Sequence, residues 1–271
     1  MSTFKTPVVA AALACGLLAA AAPAAVQPPA TIAKSGKIVF CSDMTYPPEE
    51  SVKGGKPVGS DIDIAKAVVR QLGVGAQFKQ VGFDALIAAL RAKRCNSIIS
   101  GMTDNAQRRK QVDFADYMKL GSSLMVKKGN PRHTTALKSL SGHSVAVQTG
   151  TTERDIVTAL NAQLVKKGRK PVTIEVYPTD AKAASALADG KADAYLSDDL
   201  GVLFRVQHSK GRFIVAASGI AAAPIGIATR KADSLGAATR RAIAGLYANG
   251  TMKSILAKWG LSAFALQRRT R

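Results

Sequence analysis

The 271-residue chain has little of what a metal site or a nucleic-acid reader needs. Its three histidines, His133, His143 and His208, and the two cysteines beyond the leader, Cys41 and Cys95, lack metal-ligand spacing. Aromatics make up 5% of the residues, and no finger, zipper or RNA-binding pattern accompanies the formal charge of +20. Acidic residues number 18 against 38 lysines and arginines, which are spread along the chain, so the charge reads as a solvated basic surface. No nucleic acid, metal or cofactor is expected. The Gly54-Gly55 pair runs into Lys56-Pro57-Val58 instead of a helix, which excludes a phosphate loop. Two cysteines cannot build a disulfide scaffold, although an oxidising compartment would allow one bridge. Cys41 closes one predicted strand and Cys95 opens another. In parallel neighbours the thiols would lie near opposite ends, so both are expected to be free and buried.

At the N-terminus, Lys5 precedes an apolar, alanine-rich run over 8–22, followed by Pro23 and small residues. This is the pattern of a secretory signal peptide over 1–24, too short for a stable membrane span, and it implies a periplasmic protein. Lipidation at Cys15 is the weaker reading, because Ala12 and Leu13 fit a lipidation box poorly. The roughly 245 residues that remain suffice for two lobes, each with its own core.

Residues 25–36, with Pro28 and Pro29, read as a linker. A strand over 37–41 then ends at Ser42, Asp43 and the Tyr46-Pro47-Pro48 turn. Next comes a helix over 60–72, with Ser60 or Asp61 as N-cap, a stripe of Ile62, Ala65, Val69 and Leu72, and Gly73 as stop. A strand over 76–81, a helix over 83–92 and a strand beginning near Asn96 complete a β-α-β-α-β unit, the signature of a parallel sheet. A second such cycle covers 143–208. Short strands over 121–127, 213–216 and 225–229 and two closing helices complete the chain. The expected division is 37–120 with 221–262 as lobe 1, 121–220 as lobe 2, and 263–271 as a basic tail.

The stretch over 96–118 concentrates chemistry. An apolar strand passes through Ser100, Gly101 and Thr103 into a short basic helix with Arg108 and Arg109. A helix start and a guanidinium together can grip a carboxylate. Taken alone, these residues are better explained by a solvated surface helix.

Six motifs in order carry a resemblance: Tyr46-Pro47-Pro48, Gly59-Ser60-Asp61-Ile62-Asp63, Phe83-Asp84-Ala85-Leu86-Ile87, Ser100-Gly101-Met102-Thr103 with Arg108, Gln148-Thr149-Gly150-Thr151-Thr152, and Asp193-Ala194-Tyr195. The chain resembles the periplasmic solute-binding proteins of polar amino-acid ABC transporters, the extracellular family 3. The resemblance implies an α/β fold of type II: two lobes, each a mainly parallel sheet flanked by helices, joined by a two-strand hinge. It implies a monomer that closes on a free amino acid and delivers it to an inner-membrane ABC permease. Carried over, Arg108 grips the ligand carboxylate with Thr103 and Thr152, and Asp198 takes the ammonium. The Ser100 and Gly101 carbonyls assist, and Tyr46 and Phe83 form aromatic walls. Phe83 fits core packing equally well. Arg109 points away from Arg108, and Asp199 is expected to face solvent or to cap the following helix.

Asp43 stands near the side-chain end of the implied cleft, where it can select a basic ligand or, the preferred reading, cap its own loop. The family often carries an aromatic after the double proline and another after Gly59, whereas this chain has Glu49 and Ser60. The helix with the arginine opens Asn105-Ala106-Gln107 in place of Thr-Pro-Glu. The same fold also resembles periplasmic cyclohexadienyl dehydratases, for which Glu49 and Glu153 are the nearby candidate acids. A binding protein and not an enzyme is the expectation.

Overall fold

One eight-stranded sheet runs the length of the computed structural model, which describes residues 26–266. The predicted signal peptide, Cys15 and the end of the basic tail lie outside the described residues. The chain opens with α1 (Ala30–Ser35) and β1 (Lys37–Ser42), then folds a small antiparallel sheet from β2 (Thr45–Tyr46), β3 (Glu50–Lys53) and β4 (Lys56–Val58). It continues through α2 (Ser60–Gln71), β5 (Gly75–Gln80), α3 (Leu86–Arg91), β6 (Ser97–Ile98) and α4 (Ala106–Arg109). After the long β7 (Val112–Lys127) come β8 (Ser144–Gln148), α5 (Thr152–Lys166), β9 (Thr173–Tyr177), α6 (Asp180–Ala188), β10 (Ala194–Asp198) and α7 (Asp199–His208). The equally extended β11 (Phe213–Arg230) leads back to α8 (Ser234–Ala248) and α9 (Thr251–Lys258).

The strand order is β5-β1-β6-β11-β7-β10-β8-β9. Helical crossovers make β5-β1-β6 and β10-β8-β9 parallel triplets. The antiparallel pair β7/β11 stands between them. We refer to the β5-β1-β6 side as the first half and the β10-β8-β9 side as the second. Strand alternation sorts each half into two cores. Ile38 and Phe40 of β1 pack with α2, α8 and α9, while Cys41 packs with Leu86, Leu90 and Ile98 on the other face. Likewise Val145 and Val147 of β8 join Val157 and Leu196, whereas Ala146 joins Leu187 and Tyr195. The fold is thus the α/β type II architecture.

Four local expectations change. The short strands over 121–127, 213–216 and 225–229 belong to two long ones, of 16 and 18 residues. Register shifts at Val215/Ala217, Ala217/Ile220 and Ile220/Ala223 interrupt the second, where alanine, serine and glycine give little strand signal. The linker contains helix α1, anchored by Ile32 in the first core. The start of the tail is pinned, since Ala265 bridges to Met118 and the Leu266 N–H donates to the Tyr247 hydroxyl at 3.0 Å. The N-cap of α2 is Gly59, and Ser60 and Asp61 turn into the interior.

Cys41 and Cys95 form a disulfide, contrary to the expectation of free thiols. β6 has only two residues, so Cys95 precedes the sheet, and the chain there brings its Cα to 5.8 Å from that of Cys41. The bridge should make the intact protein two hydrogens lighter by mass before reduction than after. With a sequence separation of 54 between its cysteines, its loss should lower stability by about 4 kcal/mol in denaturant melts. Two titratable thiols in the untreated protein would contradict this.

Candidate functional site

The carboxyl ends of β1, β6, β8 and β10 converge on a cleft between the halves, the position at which open α/β sheets hold ligands. Asp43, Tyr46, Phe83, Gly101, Thr103 and Arg108 line it from the first half, and Thr152 and Asp198 from the second. Ser100 is fully buried behind this lining, with its hydroxyl donating to Glu50 Oε1 at 2.6 Å and accepting from the Asp43 N–H at 3.0 Å. The halves are closed on each other and leave a cavity of about 30 Å³, room for a few waters. An adjoining cavity of about 220 Å³ shares Thr103, Thr152, Glu153 and Asp198 with it.

Arg108 is held from both sides. Asn105 caps α4 by accepting the Arg108 N–H at 2.8 Å. The guanidinium donates to the Thr103 carbonyl at 2.8 Å and, across the cleft, to the Gly150 carbonyl at 3.1 Å. It lies 5.4 Å over the Phe83 ring, so Phe83 is a cleft wall and the stacking surface of this arginine. Burial lowers its pKa, with Glu153 and Asp155 opposing the shift. The Thr103 and Thr152 hydroxyls are 3.4 Å apart beside it. Arg109 instead pairs with Asp104 at 2.5 Å and is largely exposed.

The rest of the lining is acidic. Asp43 caps its loop by accepting from the Thr45 hydroxyl at 2.8 Å, and its other oxygen accepts from Gln148 Nε2 across the cleft at 2.8 Å. Asp198, rather than Asp199, is the N-cap of α7, and its Oδ1 accepts from the N–H groups of Leu200 and Gly201. Asp199 neither faces solvent nor caps. It is buried and accepts from Gly121 N, Gly219 N and the Ser123 hydroxyl, tying α7 to β7 and β11. Glu50 and Glu153 also line the cleft. Burial pushes the pKa of Asp198 up to about 7 and that of Asp61, behind Gly101, up to about 6.

Tyr46 spans the halves, its hydroxyl 3.2 Å from that of Ser197. This approach needs a glycine at 201, because a Cβ there would fall 2.6 Å from the tyrosine oxygen. Sequence reasoning missed Glu50, Gln148 and Ser197 as lining residues and placed Glu153 near the cleft only as a candidate acid. The adjacent acids after Tyr46-Pro47-Pro48 and the polar end of an otherwise apolar strand at Gln148 were their only signals.

A family described as bacterial extracellular solute-binding proteins, family 3, matches residues 38–262. The arginine-binding protein ArgT of Corynebacterium glutamicum is 30% identical over 236 residues, spanning 86% of this chain and 77% of that one. The structure of an ancestral arginine-binding protein bound to arginine matches with a TM-score of 0.77 at 33% identity, over 83% of this chain and 98% of that one. The ancestral amino acid-binding protein AncCDT-1, a precursor of cyclohexadienyl dehydratase, matches with a TM-score of 0.76 at 29% identity, over 84% and 97% of the two chains.

The raised carboxyl pKa values link stability to pH. A group whose pKa is higher in the folded than in the unfolded chain stabilises the fold fully below its unfolded value, near 4. That stabilisation is lost as pH rises through the folded value, here about 6 for Asp61 and about 7 for Asp198. Asp113 and Asp193, whose pKa values are lowered, act oppositely, but only below their ordinary range. Calorimetric melting should therefore show greater stability at pH 5 than at pH 8, by on the order of 3 kcal/mol. Asp198→Asn should flatten part of that slope, and Asp61, Asp116, Glu49 and Glu50, whose pKa values burial also raises, should keep the rest.

Proposed function

We propose a function from one premise: the chain belongs to the bacterial extracellular solute-binding proteins, family 3. It binds a free polar amino acid between its halves and delivers it to the permease of an ABC transporter. The division into 37–120 with 221–262 and 121–220 fits this motion. Two cores are built from residues before and after the middle segment, with Leu200 the one buried exception, and the other two fall within it. Export through the predicted leader over 1–24 places the monomer in the periplasm. Carriage instead of dehydration is supported by the likeness to AncCDT-1, itself an amino acid-binding protein.

The observation that carries the reading is the charge of the cleft, where one arginine, Arg108, faces four carboxylates, Asp43, Glu50, Glu153 and Asp198. An α-amino acid supplies one carboxylate for Arg108, Thr103 and Thr152 and one ammonium for Asp198. The acids left over favour a second cation, because unmatched buried carboxylates are costly. Glu50 Oε2 has no partner, and Glu50 is joined to Asp43 through Ser100. That pair suits a side-chain guanidinium or ammonium lying between Tyr46 and Phe83. Arginine or lysine fits this description, in line with the arginine-binding relatives.

Thermal melts against the twenty amino acids test it. Arginine or lysine at a hundred times its Kd should raise the melting temperature by about 5–10 °C, and glutamate should not. Arg108→Ala should abolish the response. Stabilisation by glutamate alone, or a response intact in Arg108→Ala, would overturn the reading.

A further inference from the structure

Glu49 is fully buried, yet neither of its carboxylate oxygens has a hydrogen-bond partner. Its backbone is fixed. The carbonyl accepts from the Asp61 N–H at 3.0 Å and lies so near Gly59 that a Cβ there would be 1.9 Å away. The side chain does not itself line the cavity but lies directly behind Gly101, which does. A Cβ placed on Gly101, which lines the cleft, would sit 3.7 Å from Glu49 Oε1 and 3.8 Å from Asp198 Oδ2. Carboxylates from both halves therefore converge on one point beside Gly101. The groups bearing on Glu49 are Asp198 across the cleft, Glu50 beside it and Asp61 on α2, and none is a cation. The Ser60 hydroxyl is likewise buried without a partner.

Two carboxylates that meet on closure repel unless one positive charge lies between them. We propose that Glu49 is a further ligand-binding residue, forming with Asp198 a two-carboxylate seat for one primary ammonium of the ligand. This rests on the amino-acid reading above. A primary ammonium has three donors, enough to serve a carboxylate from each half at once. N-methylation removes a donor and adds bulk, so the seat selects against N-methylated ligands. Closure and ligand capture are thereby coupled, because the ammonium that Asp198 receives also removes the obstacle to bringing Glu49 against it.

A proton competes for the same place. Burial raises the pKa values of Glu49 and Asp198, the latter to about 7, so the seat fills with a proton as pH falls through that range. Ligand affinity is then highest above it.

Titration calorimetry with L-arginine, L-lysine and Nα-methyl-L-arginine at pH 7.5 and 5.5 tests the seat in the wild type, Glu49→Gln and Glu49→Asp. The wild type should bind the better of the two unmodified amino acids about tenfold more weakly at pH 5.5, and Nα-methyl-L-arginine at least tenfold more weakly than L-arginine. Glu49→Gln should bind about tenfold or more weakly at pH 7.5, lose at least half of the pH dependence on a logarithmic scale, and discriminate less against the methylated ligand. Glu49→Asp, which keeps the charge but withdraws it, should fall between. Glu49→Gln binding with wild-type affinity and pH dependence would overturn the seat while leaving the amino-acid reading in place. A wild type that binds none of the probes would overturn both.

Discussion

The antiparallel ladder between β7 and β11 is the constraint on which everything else hangs. It runs from Val112 against Arg230 to Lys127 against Phe213, and each end carries one parallel triplet. Because the triplets lie on opposite sides of this pair, the carboxyl ends of their strands face one another across the cleft. The ladder loses its register between Val215 and Ala223, in the passage from one half to the other. Asp199 spans the same region, accepting from Gly121 on one strand and Gly219 on the other. A continuous backbone connection with a locally irregular register joins two rigid bodies and leaves their relative angle soft. The neighbouring Asp198 faces the cleft, so a single dipeptide serves both the joint and the ligand chamber.

Electrostatics in the chamber run against the rest of the molecule. The chain has 20 more basic than acidic residues, yet its cleft has an acidic surplus. A cationic solute is repelled by the general surface and attracted locally, where low dielectric strengthens the interaction. The contacts described across the cleft include no ion pair: Tyr46 to Ser197 and Thr103 to Thr152 are neutral, while Arg108 to Gly150 and Gln148 to Asp43 each have one charged partner. Closure itself brings no opposite charges together, and the pairing of charge with charge is left for the solute.

The regular elements were legible because periodicity and glycine stops report local structure, as along α2 with Gly73 behind it. The family resemblance led to Arg108, Thr103, Thr152 and Asp198, all of which line the cleft. Other features carry no local signal. The Cys41–Cys95 bridge depends on how a two-residue strand is entered, which spacing does not encode. The interruption of β11 lies in alanine and glycine, which fit many conformations. Whether Asp198 or Asp199 caps α7 depends on a one-residue difference in where strand ends and helix begins. Glu49 reads as a candidate acid near the cleft, and nothing in the local sequence signals that its side chain is fully buried.

The first core joins Ile32, Ile64, Tyr117, Ile227, Leu246 and Leu261, drawing on both ends of the described chain. The cores of the second half are built almost wholly from residues between Leu124 and Ile220. As the polypeptide emerges N-terminus first, the middle segment has all its packing partners before the first half does. The order of synthesis thus lets the middle segment pack before the first half can. The oxidised loop between Cys41 and Cys95 can keep the early strands together while they wait for α8 and α9. An interruption of synthesis near residue 220 would leave one finished half and one unfinished apolar face, and that face, rather than the finished half, would be the target of quality control.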